Sequence, residues 1–154
     1  MPKVMKEKCF ILFFAVFIVI AKAEFDFYDC GSSMDIKTVT VSDCDEIPCY
    51  FSPGDHFTVE ITLSEVSSLN RTELVTKAFL WMFGQQWELD ISPVNPCTQW
   101  HCPLFAVNDL KYVADVLISD RLAKRPAHVE VVITYDGDDE QIQVLCIEFS
   151  VSLQ

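Results

Sequence analysis

Two places in the chain hold residue types that could do chemistry. His101 stands beside Cys102, a neighbourhood that could serve a thiol nucleophile or a zinc site. Asp136-Gly137-Asp138-Asp139-Glu140 gathers carboxylates that could suggest calcium. The acidic run lacks the ligand spacing of a calcium-binding loop and reads as a hairpin turn. Cys102 belongs to a set of cysteines expected to be oxidised, which removes a thiolate role. The histidines are His56, His101 and His128, and the first and last alternate with apolar residues and should face solvent. There is no Gly-x-Ser-x-Gly elbow, no phosphate-binding glycine loop and no His-Glu-x-x-His. The sequence therefore reads as a non-enzyme with no catalytic residues, no metal and no cofactor.

The cysteines carry the most specific signal, and the start of the chain sets their context. Lys3, Lys6 and Lys8 precede an unbroken apolar run from Cys9 to Ile20, and Ala21-Lys22-Ala23 follows. A basic start, a short apolar run and a small-x-small site make a secretory signal peptide over residues 1–23. The run is too short to span a bilayer, which takes about 20 apolar residues. The domain then covers residues 24–154. Six cysteines remain in it: Cys30, Cys44, Cys49, Cys97, Cys102 and Cys146. An even count on a secretory route reads as three disulfides, and spacing alone does not choose their connectivity. Two short local loops and one end-to-end staple form the simplest arrangement. Asn70-Arg71-Thr72 is a sequon, so Asn70 is a candidate glycosylation site.

Strands must position these cysteines. Phe57, Val59, Ile61 and Leu63 alternate with Thr58, Glu60 and Thr62. Leu110–Ile118, Val129–Tyr135 and Leu145–Val151 alternate in the same way. That period of two buries one face and wets the other. Further strands are expected near Ile36–Val41 and Leu74–Phe83, with an edge piece near Phe25–Tyr28. Ser52-Pro53-Gly54-Asp55 and the acidic run at 136–139 are turn signals. About seven short strands predict an all-β two-sheet sandwich in one domain.

From Ala78 to Phe83 both strand faces are apolar, and Trp87, Leu89 and Ile91 continue at alternate positions. Two explanations fit. The segment is an exposed patch covered by a loop or a partner, or it rims an interior that opens for an apolar ligand.

Charge narrows the partners. The 154 residues include 11 basic and 23 acidic side chains, for a formal charge of −12. The signal segment takes four basic residues and one acidic residue with it, leaving −15 on the rest. That excludes ordinary nucleic-acid binding, which needs cations to replace phosphate counterions. It also opposes strong docking of the chain as a whole on anionic membranes.

Asp29-Cys30-Gly31-Ser32, Val41-Ser42-Asp43-Cys44 through Pro48-Cys49, and Ser52-Pro53-Gly54 resemble the opening of an ML lipid-recognition domain. The likeness continues through Asn95-Pro96-Cys97 and Cys102-Pro103 to Val144-Leu145-Cys146-Ile147-Glu148. It is nearest to the soluble sterol carriers of that family. The resemblance implies an immunoglobulin-like sandwich with an apolar pocket between its sheets. It also implies the pairs Cys30–Cys146, Cys44–Cys49 and Cys97–Cys102. Family pocket positions fall on Leu89, near Ile118 and near Leu122. Gln85-Gln86-Trp87-Glu88 stands where the sterol carriers have a proline-rich segment.

Strand parity and resemblance together give the expected lipid lining: Phe79, Trp81, Leu89, Ile91, Val116, Ile118, Ile133 and Phe149. The expectation is a monomeric lipid-transfer protein, secreted or in the lysosomal lumen, that holds a sterol or other apolar lipid. A membrane-bound sterol transporter or lipid receptor is the implied partner. The alternatives are an innate-immune ML protein that binds microbial lipids, an activator that lifts a glycolipid for an enzyme, and a ligand-free secreted interaction domain. A basic rim at Lys77 or Lys124-Arg125 would favour a charged lipid.

Overall fold

The computed structural model describes residues 24–69, 72–136 and 141–154. The expected signal peptide, Asn70 and most of the acidic turn lie outside them. The described residues form nine strands and one helical turn. They are β1 (Tyr28–Asp29), β2 (Ile36–Val41), β3 (Cys49–Phe51), β4 (His56–Leu69), β5 (Val75–Met82), β6 (Gln85–Ser92), α1 (Cys97–Trp100), β7 (Leu104–Leu117), β8 (Pro126–Asp136) and β9 (Gln141–Leu153).

The hydrogen-bonded path runs β1-β9-β8-β5-β6-β7-β4-β2, and β3 lies parallel to β9. This single sheet curls on itself into two layers. One layer holds β1, β3, β9, β8 and β5, and the other holds β7, β4 and β2. β6 belongs to both. Gln85 to Leu89 pair with β5, whereas Asp90 to Ser92 pair with β7. The sandwich is thus closed by backbone hydrogen bonds along this side.

The alternation read from sequence places the core. Phe57, Val59, Ile61 and Leu63 of β4 point inward, as do Tyr112, Ala114 and Val116 of β7. Val129, Val131 and Ile133 of β8 meet Leu145, Ile147 and Phe149 of β9 across the ladder. Burying each such side chain contributes about 1.5–3 kcal/mol before the entropy of ordering it is subtracted. Phe149 joins the layers, with its ring 5.6 Å from Phe25 and 6.2 Å from Phe57, both edge-on. Tyr112 carries its hydroxyl into this interior and donates it to the Pro93 carbonyl at 2.6 Å. Burial pushes the Tyr112 phenol up from its ordinary value, against a smaller lowering by the Thr76 hydroxyl.

Two strands depart from the sequence reading. β3 is three residues long, too short to carry a period. β6 forms because the chain reverses at Phe83-Gly84, where both residues have positive φ, 52° and 72°. A two-residue turn of that hand matches the twist of paired strands. Phenylalanine is a poor signal for it, since a left-handed conformation favours glycine.

The disulfides are Cys30–Cys146, Cys44–Cys49 and Cys97–Cys102. The first ties the chain after β1 to the middle of β9, across a sequence separation of 116. The third brackets α1, whose Trp100 is buried and donates its indole N–H to the Lys111 carbonyl.

Candidate ligand site

A cavity of about 420 Å³ opens at one end of the sandwich. One lip is the β5–β6 turn, with Met82, Phe83, Gln85, Trp87 and Glu88. The other is the connection from β7 to β8, with Ser119, Arg121, Leu122 and Ala123. Strand parity explains why the first lip is greasy on the inside. Trp87 pairs with Leu80 and Gln85 with Met82, so these residues share the inward face of β5 and β6. Leu80 and Met82 are buried there, but Trp87 sits at the rim and is 47% exposed. Phe83, at the tip, is 77% exposed.

Behind the rim the inward face continues as two apolar rows, with the buried Thr76 beyond them. A row of cross-strand partners runs Trp87, Leu80, Val129, Phe149 through β6, β5, β8 and β9. The next row runs Leu89, Ala78, Val131, Ile147. The facing layer offers Ile91, Val116 and Phe57, again in register. The arrangement therefore leads from a half-open aromatic rim into an apolar interior. Among the described residues, no group of His, Cys, Asp and Glu could hold a metal ion.

The expected lining residues divide into two sets. Leu89, Val116, Ile118, Ile133 and Phe149 are buried between the layers, and Ile91 is half-buried against them. Phe79 and Trp81 are not brought to the interior. They lie on the outer face of β5, half-buried, with Thr76, Ala78, Leu80 and Met82 pointing inward instead. The segment 78–83 is apolar at both parities, so its pattern alone could not choose a face. The neighbours decide. Ala78 and Leu80 meet Val131 and Val129, whereas Phe79 and Trp81 meet Glu130 and His128. Trp81 donates its indole N–H to a Glu130 carboxylate oxygen at 2.8 Å on that outer face.

Met82, Trp87 and Leu122 were absent from the expected lining. Trp87 carried a usable signal, because it shares parity with Leu89 and Ile91. Leu122 lies in a loop, where only the family resemblance pointed to it.

The rim is also where positive charge gathers. Arg121 lines the cavity, Lys124 follows in the same loop, and the Arg125 guanidinium lies 4.9 Å over the Phe83 ring.

The sequence from 24 to 153 matches the family model of the ML domain. Among solved structures it is similar to a Niemann–Pick type C2 protein from Japanese carpenter ant. The identity is 18%, the alignment covers 84% of this chain and 100% of that one, and the TM-score is 0.58. No curated protein matches the sequence.

Proposed function

We propose that this chain, which belongs to the ML-domain family of lipid-binding proteins, carries one apolar lipid, a sterol first among candidates, between its two layers. The observation that carries this reading is the cavity of about 420 Å³ whose aromatic rim leads directly onto the apolar inner face. Pockets of roughly 300–1,000 Å³ suit small ligands, and a mostly apolar wall with few polar groups suits a lipid. The mechanism is sequestration. Each Å² of apolar ligand surface moved out of water contributes about 25 cal/mol, less the cost of parting the side chains that meet behind the rim.

The proposed lining is Leu80, Met82, Trp87, Leu89, Ile118 and Leu122. The remaining expected residues Ile91, Val116, Ile133 and Phe149 form the deeper wall, and Phe79 and Trp81 take no part. Three disulfides and the family support an oxidising working compartment, either outside the cell or in a lysosome-like lumen. Among the described residues no helix is long and apolar enough to cross a membrane.

Native mass spectrometry of the secreted protein, with extraction and identification of bound lipid, tests the reading. Stoichiometric lipid that a labelled sterol displaces supports it. A bare protein that also refuses added sterols and phospholipids overturns it.

A further inference from the structure

We propose that Thr76, at the far end of the inward face from the rim, anchors a hydroxyl on the buried end of the ligand. The lipid held here is then polar at both ends, as a sterol with a hydroxylated side chain is. The proposal rests on the carrier reading and narrows the class of its ligand.

The crossing of β6 sets the geometry. Gln85 to Leu89 pair with β5, and Asp90 to Ser92 pair with β7. That change of partner leaves a gap on each side of the strand. One lies between its first half and the β7–β8 connection, and it is the rim cavity. The other lies between its second half and the start of β5. It holds a second cavity of about 410 Å³, whose walls include Thr76 and Lys77 of β5 and Leu89 and Ile91 of β6. Pro93 and Val94 form a strap across this second gap. The Thr76 N–H donates to the Val94 carbonyl at 2.7 Å, and the Tyr112 hydroxyl donates to the Pro93 carbonyl at 2.6 Å. With the strap tied to β5 and β7, the way to the Thr76 side chain runs from the rim along the inward face.

The observation that points to a ligand is the Thr76 hydroxyl itself. The side chain is 1% exposed on the inward face of β5, and its oxygen has no hydrogen-bond partner. Among the described residues no other buried side-chain oxygen or nitrogen is left in that state. An unpaired buried hydroxyl costs stability, and a valine of the same shape would avoid the cost while suiting a strand as well. The fold alone therefore has no use for this oxygen. Its cross-strand partner on β8 is Ile133, which offers no side-chain acceptor. The Tyr112 hydroxyl is near enough for Thr76 to lower the phenol's pKa, yet no hydrogen bond joins the two, and the Tyr112 proton is committed to Pro93. A ligand hydroxyl placed here accepts from Thr76 and donates to the Tyr112 oxygen, which completes both groups.

The position suits the far end of a lipid. Thr76 and Met82 lie six positions apart on β5, and a strand rises about 3.3 Å per residue, so the span is about 20 Å. Between them only Ala78 and Leu80 face inward, and both are apolar. At the other end the rim offers Gln85, Glu88 and Arg121 to a ring hydroxyl that stays in contact with water.

Competition binding with the secreted, delipidated chain tests this. The probes are cholesterol and 25-hydroxycholesterol, each displacing a fluorescent sterol from the parent chain and from Thr76→Val. The parent should bind 25-hydroxycholesterol about tenfold more tightly, the worth of one hydrogen bond to a group otherwise buried unpaired. Thr76→Val should bind the two sterols alike. Its urea midpoint without ligand should equal or exceed that of the parent, since the fold loses no hydrogen bond. Equal affinities in the parent, or a preference that survives in Thr76→Val, overturn the proposal and leave the hydroxyl to a bound water. A lowered midpoint in Thr76→Val also overturns it, because the hydroxyl would then serve the fold. A parent chain that binds neither sterol overturns the sterol-carrier reading and this proposal with it, whereas one that binds both alike overturns this proposal only.

Discussion

The inward face of β5 can be tested by two substitutions one residue apart. Leu80 is fully buried, between Trp87 on β6 and Val129 on β8. Leu80→Ala removes its buried methyl groups and leaves a cavity that rigid neighbouring strands cannot fill, at a cost of about 3–5 kcal/mol. Phe79 is half-buried on the opposite face, between Glu88 and Glu130. A fully buried Phe→Ala costs about 3–5 kcal/mol, so a ring already half in water should cost about 1–2 kcal/mol. Urea unfolding followed by tryptophan fluorescence measures both, since neither change removes a tryptophan. With a slope of about 1–3 kcal/mol per molar urea, Leu80→Ala should lower the midpoint by about 1–5 M, and Phe79→Ala, at the same slope, by about 0.3–2 M, roughly two-fifths as much. If Phe79→Ala proves as costly as Leu80→Ala, the parity of β5 is reversed. The aromatic stripe would then belong to the interior, and the proposed lining would have to be redrawn.

Leu122→Asp places a carboxylate in the lip of the cavity, where half-burial keeps the fold tolerant. Titration with a fluorescent sterol should show a tenfold or greater loss of affinity, with unfolding changed by less than about 1 kcal/mol. The Cys30–Cys146 bridge closes a loop with a sequence separation of 116, whereas Cys44–Cys49 spans only 5. Chain entropy then makes C30S/C146S cost about 4–5 kcal/mol and C44S/C49S about 2 kcal/mol, an order that denaturant melts can check. Burial raises the Tyr112 phenol in the folded chain, so the unfolded chain releases that proton first. The resulting stability is complete below about pH 10 and is lost as pH rises through the folded-state value. Tyr112→Phe should remove this alkaline fall and, by deleting the hydrogen bond to Pro93, cost about 1 kcal/mol at neutral pH. An unchanged alkaline profile in Tyr112→Phe would assign the fall to other groups.

Most of the fold was legible because its long strands each show one wet face. Glu60 and Thr62 against Ile61 and Leu63, or Glu130 against Val129 and Val131, leave a single orientation that buries no charge. β5 was not legible in this way. Its outer face carries Phe79 and Trp81, and hydrophobicity cannot say which of two apolar faces is inside. The deciding facts are its partners' residues, which lie far off in sequence at 86–89 and 128–134. The rim was half legible. Trp87 announces its face by parity with Leu89, but the opposite lip is a loop with no period to read. The turn that makes Phe83 a tip was concealed by its own residue type.

β6 explains why the site lies where it does. β6 changes partners between Leu89 and Asp90, so the layers are stitched together along its length. A ligand cannot pass that side without breaking ladder hydrogen bonds. The β7–β8 connection is pinned at both ends. Gly54 N–H donates to the Ile118 carbonyl, Ile118 N–H to the Asp55 carbonyl, and Leu153 N–H to the Arg125 carbonyl. Between those pins, residues 119–124 are tied by contacts local to the loop, Leu122 N–H to the Ser119 carbonyl and Arg121 N–H to the Ser119 hydroxyl. Facing them is the Phe83-Gly84 tip, beyond the last ladder pair of Met82 with Gln85. The two lips of the cavity can therefore part without cost to the sheet. The end of the sandwich that can yield is also the end that carries the exposed rings of Phe83 and Trp87 and the cations Arg121, Lys124 and Arg125.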